Sequence, residues 1–129
     1  MRLLLDTHLL LWAVASSKRL PPEARELLED GANEAYYSAA SIWEIAIKIS
    51  LDRKDFRIDL DALLSALPEM QLVELPITAV HAAGVTRLPR IHRDPFDRML
   101  VAQSIAEPLT LLTNDAALGK YGERVRVVV

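Results

Sequence analysis

Short apolar runs that alternate with helical patterns are the feature that most constrains the fold of this chain. The first run is Leu3–Leu5, and similar runs occupy residues 35–37, 71–75, 109–113 and 125–129. Strands that are buried on both faces of a parallel sheet are continuously apolar, and parallel strands need helical crossover connections. We therefore predict an α/β protein whose parallel β-sheet is flanked by helices.

Proline, glycine and capping residues indicate where the helices begin and end. The helix from about Ser38 to Ser50 has apolar residues around much of its axis, which predicts that it is well buried. Pro68 is expected to end the helix that begins at Leu60. The remaining helical segments are residues 9–14, 23–29, a segment capped by Thr78, and 95–106.

Length and composition exclude several classes of protein. The 129 residues predict one domain, residues 1–129, and the absence of cysteine excludes disulfides, thiolate metal sites and thiol nucleophiles. No apolar run reaches the roughly 18 residues that span a bilayer, and Asp6 interrupts any signal-peptide core. We expect a cytoplasmic protein with no membrane association. The net charge of −3 argues against a broad basic surface for nucleic acid.

Four acidic residues stand where a purely structural sequence has little use for them. Asp6 ends the first buried strand, and Asp115 follows the strand at residues 109–113. Glu44 interrupts the most apolar helix, and Asp97 lies in the first turn of the helix that begins at Asp94-Pro95. Because ligands of open parallel sheets bind at the carboxyl ends of the strands, these acids are candidates for one site.

Structural roles remain open for the aspartates when they are taken singly. Asp6 and Asp115 are suitable N-caps for the helices that follow them. Asp94 is interpreted as the N-cap before Pro95, and Asp97 would then be a first-turn acid favoured by the helix dipole.

Glu44 has two structural interpretations. The sequence Ser41-Ile42-Trp43-Glu44 matches the capping box S-x-x-E. Glu44 also stands four residues before Lys48, which is the spacing of a helical ion pair. The joint pattern of four acids is therefore a stronger signal than any one of them.

If the four carboxylates converge, a cation is required, because like charges at short distance repel one another. Oxygen ligands suit Mg²⁺ or Mn²⁺ rather than zinc. Such an ion generates a nucleophile from bound water and neutralises a scissile phosphate, so the site needs no nucleophilic side chain.

Other chemistries have weaker support. His8, His81 and His92 lack metal-ligand spacing and are interpreted as ordinary polar residues, and the four glycines form no nucleotide-binding motif. An arginine group that includes Arg93 and Arg98 flanks the Asp94–Asp97 segment. It is either a rim that contacts the phosphates of RNA or a solvated loop.

Four ordered motifs resemble those of PIN-domain ribonucleases, and most of all those of VapC-type toxins of bacterial toxin–antitoxin pairs. The motifs are Leu4-Leu5-Asp6-Thr7-His8, Ser41-Ile42-Trp43-Glu44-Ile45, Asp94-Pro95-Phe96-Asp97-Arg98 and Thr113-Asn114-Asp115. The resemblance covers essentially the whole chain. It implies a single PIN-like domain with a parallel sheet, a homodimer, and inhibition by a small VapB-type antitoxin.

The resemblance also implies roles for individual residues. The residues that match the acidic site, which holds Mg²⁺ or Mn²⁺ for RNA cleavage, are Asp6, Glu44, Asp97 and Asp115. Thr7, Ser41 and Thr113 match supporting polar positions. Asp94 matches a recurrent further acid of the subgroup, and we interpret it as a cap rather than a ligand.

The predicted function is that of a metal-dependent RNA endonuclease, the toxin of a type II, VapBC-like pair, which hydrolyses phosphodiesters with a Mg²⁺-activated water. One alternative is a catalytically silent α/β binding module whose acids are caps. The other is a Mg²⁺-dependent phosphatase, which would need a second aspartate two residues after Asp6, where the chain has His8. The RNA target is left open.

Overall fold

A five-stranded, fully parallel β-sheet with strand order β3-β2-β1-β4-β5 forms the centre of the computed structural model, which describes residues 1–129. The strands are β1 (Arg2–Leu5), β2 (Glu34–Ser38), β3 (Leu72–Leu75), β4 (Thr110–Thr113) and β5 (Val125–Val127). The helices are α1 (Thr7–Val14), α2 (Pro22–Glu29), α3 (Ala39–Ser50), α4 (Leu60–Glu69), α5 (Ala79–Gly84) and α6 (Pro95–Ala106), with 3-10 helices at Val85–Arg87 and Ala116–Tyr121. The predicted parallel α/β fold is confirmed. No helix of the structure combines the length and the hydropathy that a membrane-spanning segment needs.

The central strand β1 separates two hydrophobic clusters. Leu3 and Leu5 belong to the cluster on one face of the sheet, together with Leu9 of α1. Leu4 points to the opposite face, where it joins a cluster that includes Leu100 of α6. Because successive side chains of a strand alternate between faces, a continuously apolar strand must have helices on both sides.

The order of the strands brings distant parts of the chain to one edge of the sheet. The chain runs outward from β1 through β2 to β3 and then returns across β1 to form β4. Leu5 of β1 is paired with Tyr37 on one side and with Leu112 on the other. The next residues, Asp6 and Thr113 among them, therefore lie side by side at the carboxyl ends of the strands, where parallel sheets bind ligands.

Two predictions about helices are wrong. Helix α4 continues past Pro68 to Glu69, because a proline in the last turn removes only one hydrogen bond; the left-handed φ of 61° at Gln71 follows. Helix α3 is not buried on all sides, since the side chain of Trp43 is 61% exposed and that of Ile47 is also exposed. Apolar composition alone does not tell which face of a helix meets the sheet.

Candidate active site

Asp6 is buried at the centre of the site and is held by both of its carboxylate oxygens. Its Oδ1 accepts a hydrogen bond of 2.8 Å from the backbone N–H of Leu9 and so caps α1. Its Oδ2 accepts a hydrogen bond from the hydroxyl of Thr113 at the end of β4. Burial raises the pKa of Asp6, and these two hydrogen bonds oppose the increase.

Glu44 reaches the same region from α3 and is also buried. Its Oε1 lies 2.8 Å from the Thr7 hydroxyl, which is in turn 2.9 Å from the hydroxyl of Ser41. Its Oε2 forms the expected ion pair with Lys48, at 3.2 Å. Thr7 thus contacts Glu44 directly, and Ser41 contacts Thr7.

The capping box suggested for Ser41 and Glu44 is not formed. Helix α3 begins at Ala39, and its N-cap is Ser38, whose hydroxyl accepts a hydrogen bond from the backbone N–H of Ala40. Glu44 therefore lies beyond the first turn and contributes to no cap. Its burial has to be explained by the contacts described above rather than by helix initiation.

Helix α6 presents two acids that have different roles. Asp94 is the N-cap, as predicted, because its Oδ1 accepts hydrogen bonds from the backbone N–H groups of Phe96 and Asp97. The carboxylate of Asp97 caps nothing. Burial, with the negative charges of Asp94, Asp6 and Glu44, raises the pKa of Asp97 to about 7, although His92 opposes the increase.

Asp115 and His92 complete the cluster on the side of β4. Asp115 caps the 3-10 helix that begins at Ala116, since its Oδ1 accepts a hydrogen bond of 3.0 Å from the backbone N–H of Ala117. The Nε2 atom of His92 lies 3.0 Å from Oδ2 of Asp97 and 3.4 Å from Oδ2 of Asp115. Ligand atoms of these three residues all lie within 4.8 Å of one another.

The four predicted acids thus face one region, although they are not equally close to one another. Asp97 and Asp115 share a set of potential ligand atoms with His92, whereas Asp6 and Glu44 act on Asp97 through their charges. His92, predicted from the sequence to be an ordinary polar residue, lies within this set. The sequence feature that could have indicated a role in the site is the position of His92, two residues before the Asp94–Asp97 segment.

The two arginines proposed as RNA contacts differ in their surroundings. The guanidinium of Arg98 donates hydrogen bonds to the carbonyl oxygens of Pro89 and Val85 and to the hydroxyl of Tyr121. Arg93 is exposed. A cleft of about 530 Å³ beside the acids is lined by Arg90, Ile91, His92, Arg93 and Arg98.

The residues of the site fit a hard divalent cation. Asp97 and Asp115 offer carboxylate oxygens, which are the ligands that Mg²⁺ and Mn²⁺ prefer, and Asp6 adds negative charge beside them. The raised pKa of Asp97 shows that its ionised carboxylate is unfavourable without positive charge, first because it is buried and then because other carboxylates lie near it. A bound cation would remove that penalty.

Comparison with known proteins identifies the family. The family model for the PIN domain matches residues 3–124. Ribonuclease VapC22 from Mycobacterium tuberculosis is 32% identical over 119 residues, which cover 92% of this chain and 90% of the relative. The chain therefore belongs to the PIN-domain family, and the predicted resemblance to VapC-type proteins is confirmed.

Solved structures share the fold. A chain in the crystal structure of VapBC2 from Rickettsia felis bound to a DNA fragment from their promoter superposes with a TM-score of 0.70 at 16% identity, covering 100% of both chains. The structure of FitAB bound to an IR36 DNA fragment gives a TM-score of 0.65 at 15% identity, covering 97% of this chain and 94% of that one. At these identities the likeness concerns the fold alone.

Proposed function

We propose that this protein is a Mg²⁺- or Mn²⁺-dependent RNA endonuclease and acts as the toxin of a VapBC-like toxin–antitoxin pair in the cytoplasm. Membership of the PIN-domain family and the similarity to Ribonuclease VapC22 support the reaction class. The phosphatase alternative has no support in these relatives.

The observation that carries the proposal is the convergence of acids from four separate segments on one edge of the sheet. Capping accounts for Asp6 and Asp115 but not for Asp97 or Glu44, whose carboxylates cap no helix. The silent-module alternative gives Glu44 a structural role through Thr7 and Lys48. It gives no role to Asp97, whose pKa is raised to about 7 by burial and by the neighbouring carboxylates. A site that receives a cation explains why Asp97 is placed there.

The chain's own residues then have distinct roles. Asp97 and Asp115 would hold the cation together with Asp6, whose orientation the Leu9 N–H and the Thr113 hydroxyl determine. Glu44, held by Thr7, would orient the attacking water. The bound ion would lower the pKa of that water and neutralise the scissile phosphate.

RNA would enter along the cleft that is lined by Arg90, Arg93 and Arg98. Arg93 and Arg90 are exposed around it and are placed to pair with phosphates next to the scissile one. Arg98 is committed to hydrogen bonds within the protein and would support the cleft rather than contact RNA directly. Replacement of Arg93 would therefore weaken RNA binding and leave the fold unchanged, whereas replacement of Arg98 would also remove hydrogen bonds within the protein.

The proposed partners are a VapB-type antitoxin and a second copy of the chain. The structural neighbours include VapBC2 and FitAB complexes. An exposed apolar stripe on α3, formed by Trp43, Ile47 and the adjacent Leu51, supports burial of this surface against another protein.

Cleavage of a long single-stranded RNA by the purified chain tests the proposal. We expect internal cuts in Mg²⁺ or Mn²⁺, no cuts in EDTA, and loss of cleavage in Asp97→Asn. Asp59→Asn is the matched control, because Asp59 caps α4 and contacts none of the acids of the site.

Cleavage that continues in EDTA would contradict metal dependence. Equal cleavage by Asp97→Asn and the native chain would remove Asp97 from the site. A chain that binds the cation but never cuts RNA would instead support the silent-module alternative.

A further inference from the structure

We propose that His92 is a positioning residue of the acid site, which ties Asp97 of α6 to Asp115 after β4 and keeps the two carboxylates at the separation that a divalent cation needs. The proposal rests on the metal site described under the proposed function. It assigns His92 an orienting role rather than direct contact with the substrate.

The contacts of the imidazole carry the argument. Its Nε2 lies 3.0 Å from Oδ2 of Asp97 and 3.4 Å from Oδ2 of Asp115. The two acids come from different elements, since Asp97 lies in the first turn of α6 and Asp115 follows β4. The imidazole is the polar partner that the structure gives to the Asp97 carboxylate, whereas Asp115 is also held through its Oδ1 by Ala117.

The orientation of the ring follows from its other nitrogen. Nδ1 lies 3.2 Å from the backbone N–H of Arg93 and accepts a hydrogen bond from it. This contact leaves Nε2 as the ring nitrogen that faces the two carboxylates. Nε2 thus lies within 3.4 Å of a carboxylate oxygen of each acid.

The loop that carries His92 is itself anchored. The backbone N–H of His92 donates a hydrogen bond of 3.0 Å to the hydroxyl of Tyr121, and Nη1 of Arg98 donates to the same hydroxyl. Nη1 of Arg98 also donates to the carbonyl of Pro89 in the same loop, which joins the 3-10 helix Val85–Arg87 to α6. Through these contacts, Arg98 and Tyr121 hold the backbone of the loop and so position the imidazole of His92 beside the site.

Partners that orient metal-ligating groups typically change metal affinity by 10- to 100-fold when they are removed. Without His92, the Asp97 side chain would lose the contact that aims it at Asp115. We expect weaker cation binding with little change in the fold, because the ring is only partly buried.

Binding of Mn²⁺ to the full-length chain, followed by the electron paramagnetic resonance of free Mn²⁺, tests the proposal without any need for RNA cleavage. We expect His92→Ala to weaken binding by about 10- to 100-fold. The amide nitrogen of glutamine can occupy the position of Nε2, so His92→Gln should bind within a few-fold of the native chain. His92→Asn places its amide near Nδ1 and should behave like His92→Ala.

The contrast between His92→Gln and His92→Asn keeps the test valid if the alanine variant does not fold, and thermal unfolding in EDTA shows that each variant is folded. Equal Mn²⁺ affinity in all variants would overturn the role of His92 and leave the proposed metal site intact. Absence of Mn²⁺ binding by the native chain would overturn the metal site itself, and this inference with it.

Discussion

Asp6 and Asp115 use their two carboxylate oxygens for different purposes. In each, Oδ1 accepts a hydrogen bond from a backbone N–H at the start of a helix. The other oxygen faces the site, where Oδ2 of Asp6 accepts from Thr113 and Oδ2 of Asp115 lies near His92. Capping and a role in the site are alternatives when only the sequence is considered, but in the structure the cap orients the second oxygen toward the site. Capping therefore does not count against a metal site.

Asp97 should reduce the stability of the metal-free protein as the pH rises. Its pKa is about 7 in the folded chain and about 4 when unfolded, so the unfolded state loses its proton first. The free energy of unfolding should therefore fall between about pH 4 and pH 7 and stay lowered above that range. Asp97→Asn removes this penalty.

Chemical denaturation in EDTA at pH 5 and pH 8 measures the effect. Asp97→Asn should be more stable than the native chain at pH 8, by on the order of 1 to 2 kcal/mol after allowance for solvent screening, with a smaller gain at pH 5. A loss of stability that is the same at both pH values would instead indicate that Asp97 only stabilises the start of α6.

At the scale of elements, the hydroxyl of Thr113 connects the end of β4 to the end of β1. It donates to Oδ2 of Asp6 and accepts a hydrogen bond of 3.0 Å from the backbone N–H of Asp115. One side chain thus fixes two acids of the site. Sequence resemblance named Thr113 only as a supporting position, and the structure supplies the contacts behind that role.

Thr113→Val should disturb both acids, because it keeps the shape of the side chain and removes the hydroxyl. An unsatisfied buried group costs about 1–3 kcal/mol, so we expect a loss of that size in the free energy of unfolding, together with loss of RNA cleavage. Thr113→Ser keeps the hydroxyl and serves as the control. Equal stability and activity of the two variants would show that the hydroxyl is dispensable.

The elements that the sequence predicted well are those whose signals are local. The apolar run at Leu3–Leu5 and the Asp94-Pro95 start of α6 depend on neighbouring residues, and both were found where expected. His92 was missed because its place is determined by Tyr121, which lies 29 residues away in sequence. The exposure of Trp43 was missed because apolar residues surround much of the axis of α3, so that its sequence does not indicate which face packs on the sheet.

At the scale of the whole molecule, the exposed stripe on α3 predicts self-association. Trp43 and Ile47 are one turn apart on α3, and Leu51 follows a turn later, so all three lie on one face. Light scattering should give the mass of a dimer, and Trp43→Ser should shift the population toward monomer. Val80→Ser, at an exposed position on α5, is the control.

A native chain that is monomeric at high concentration would contradict the homodimer. Dissociation by Val80→Ser but not by Trp43→Ser would place the interface on another surface. Neither result would affect the acid site, which a single chain forms by itself.

Thermal unfolding in increasing Mg²⁺ is the most direct test of the central claim that these acids form a divalent-cation site. A ligand that binds only the folded state raises the melting temperature progressively with its concentration. The native chain and Asp59→Asn should show this increase, whereas Asp97→Asn and Asp6→Asn should show little or none. A native chain whose melting temperature is unchanged at millimolar Mg²⁺ and Mn²⁺, or an equal increase in all four proteins, would contradict the account.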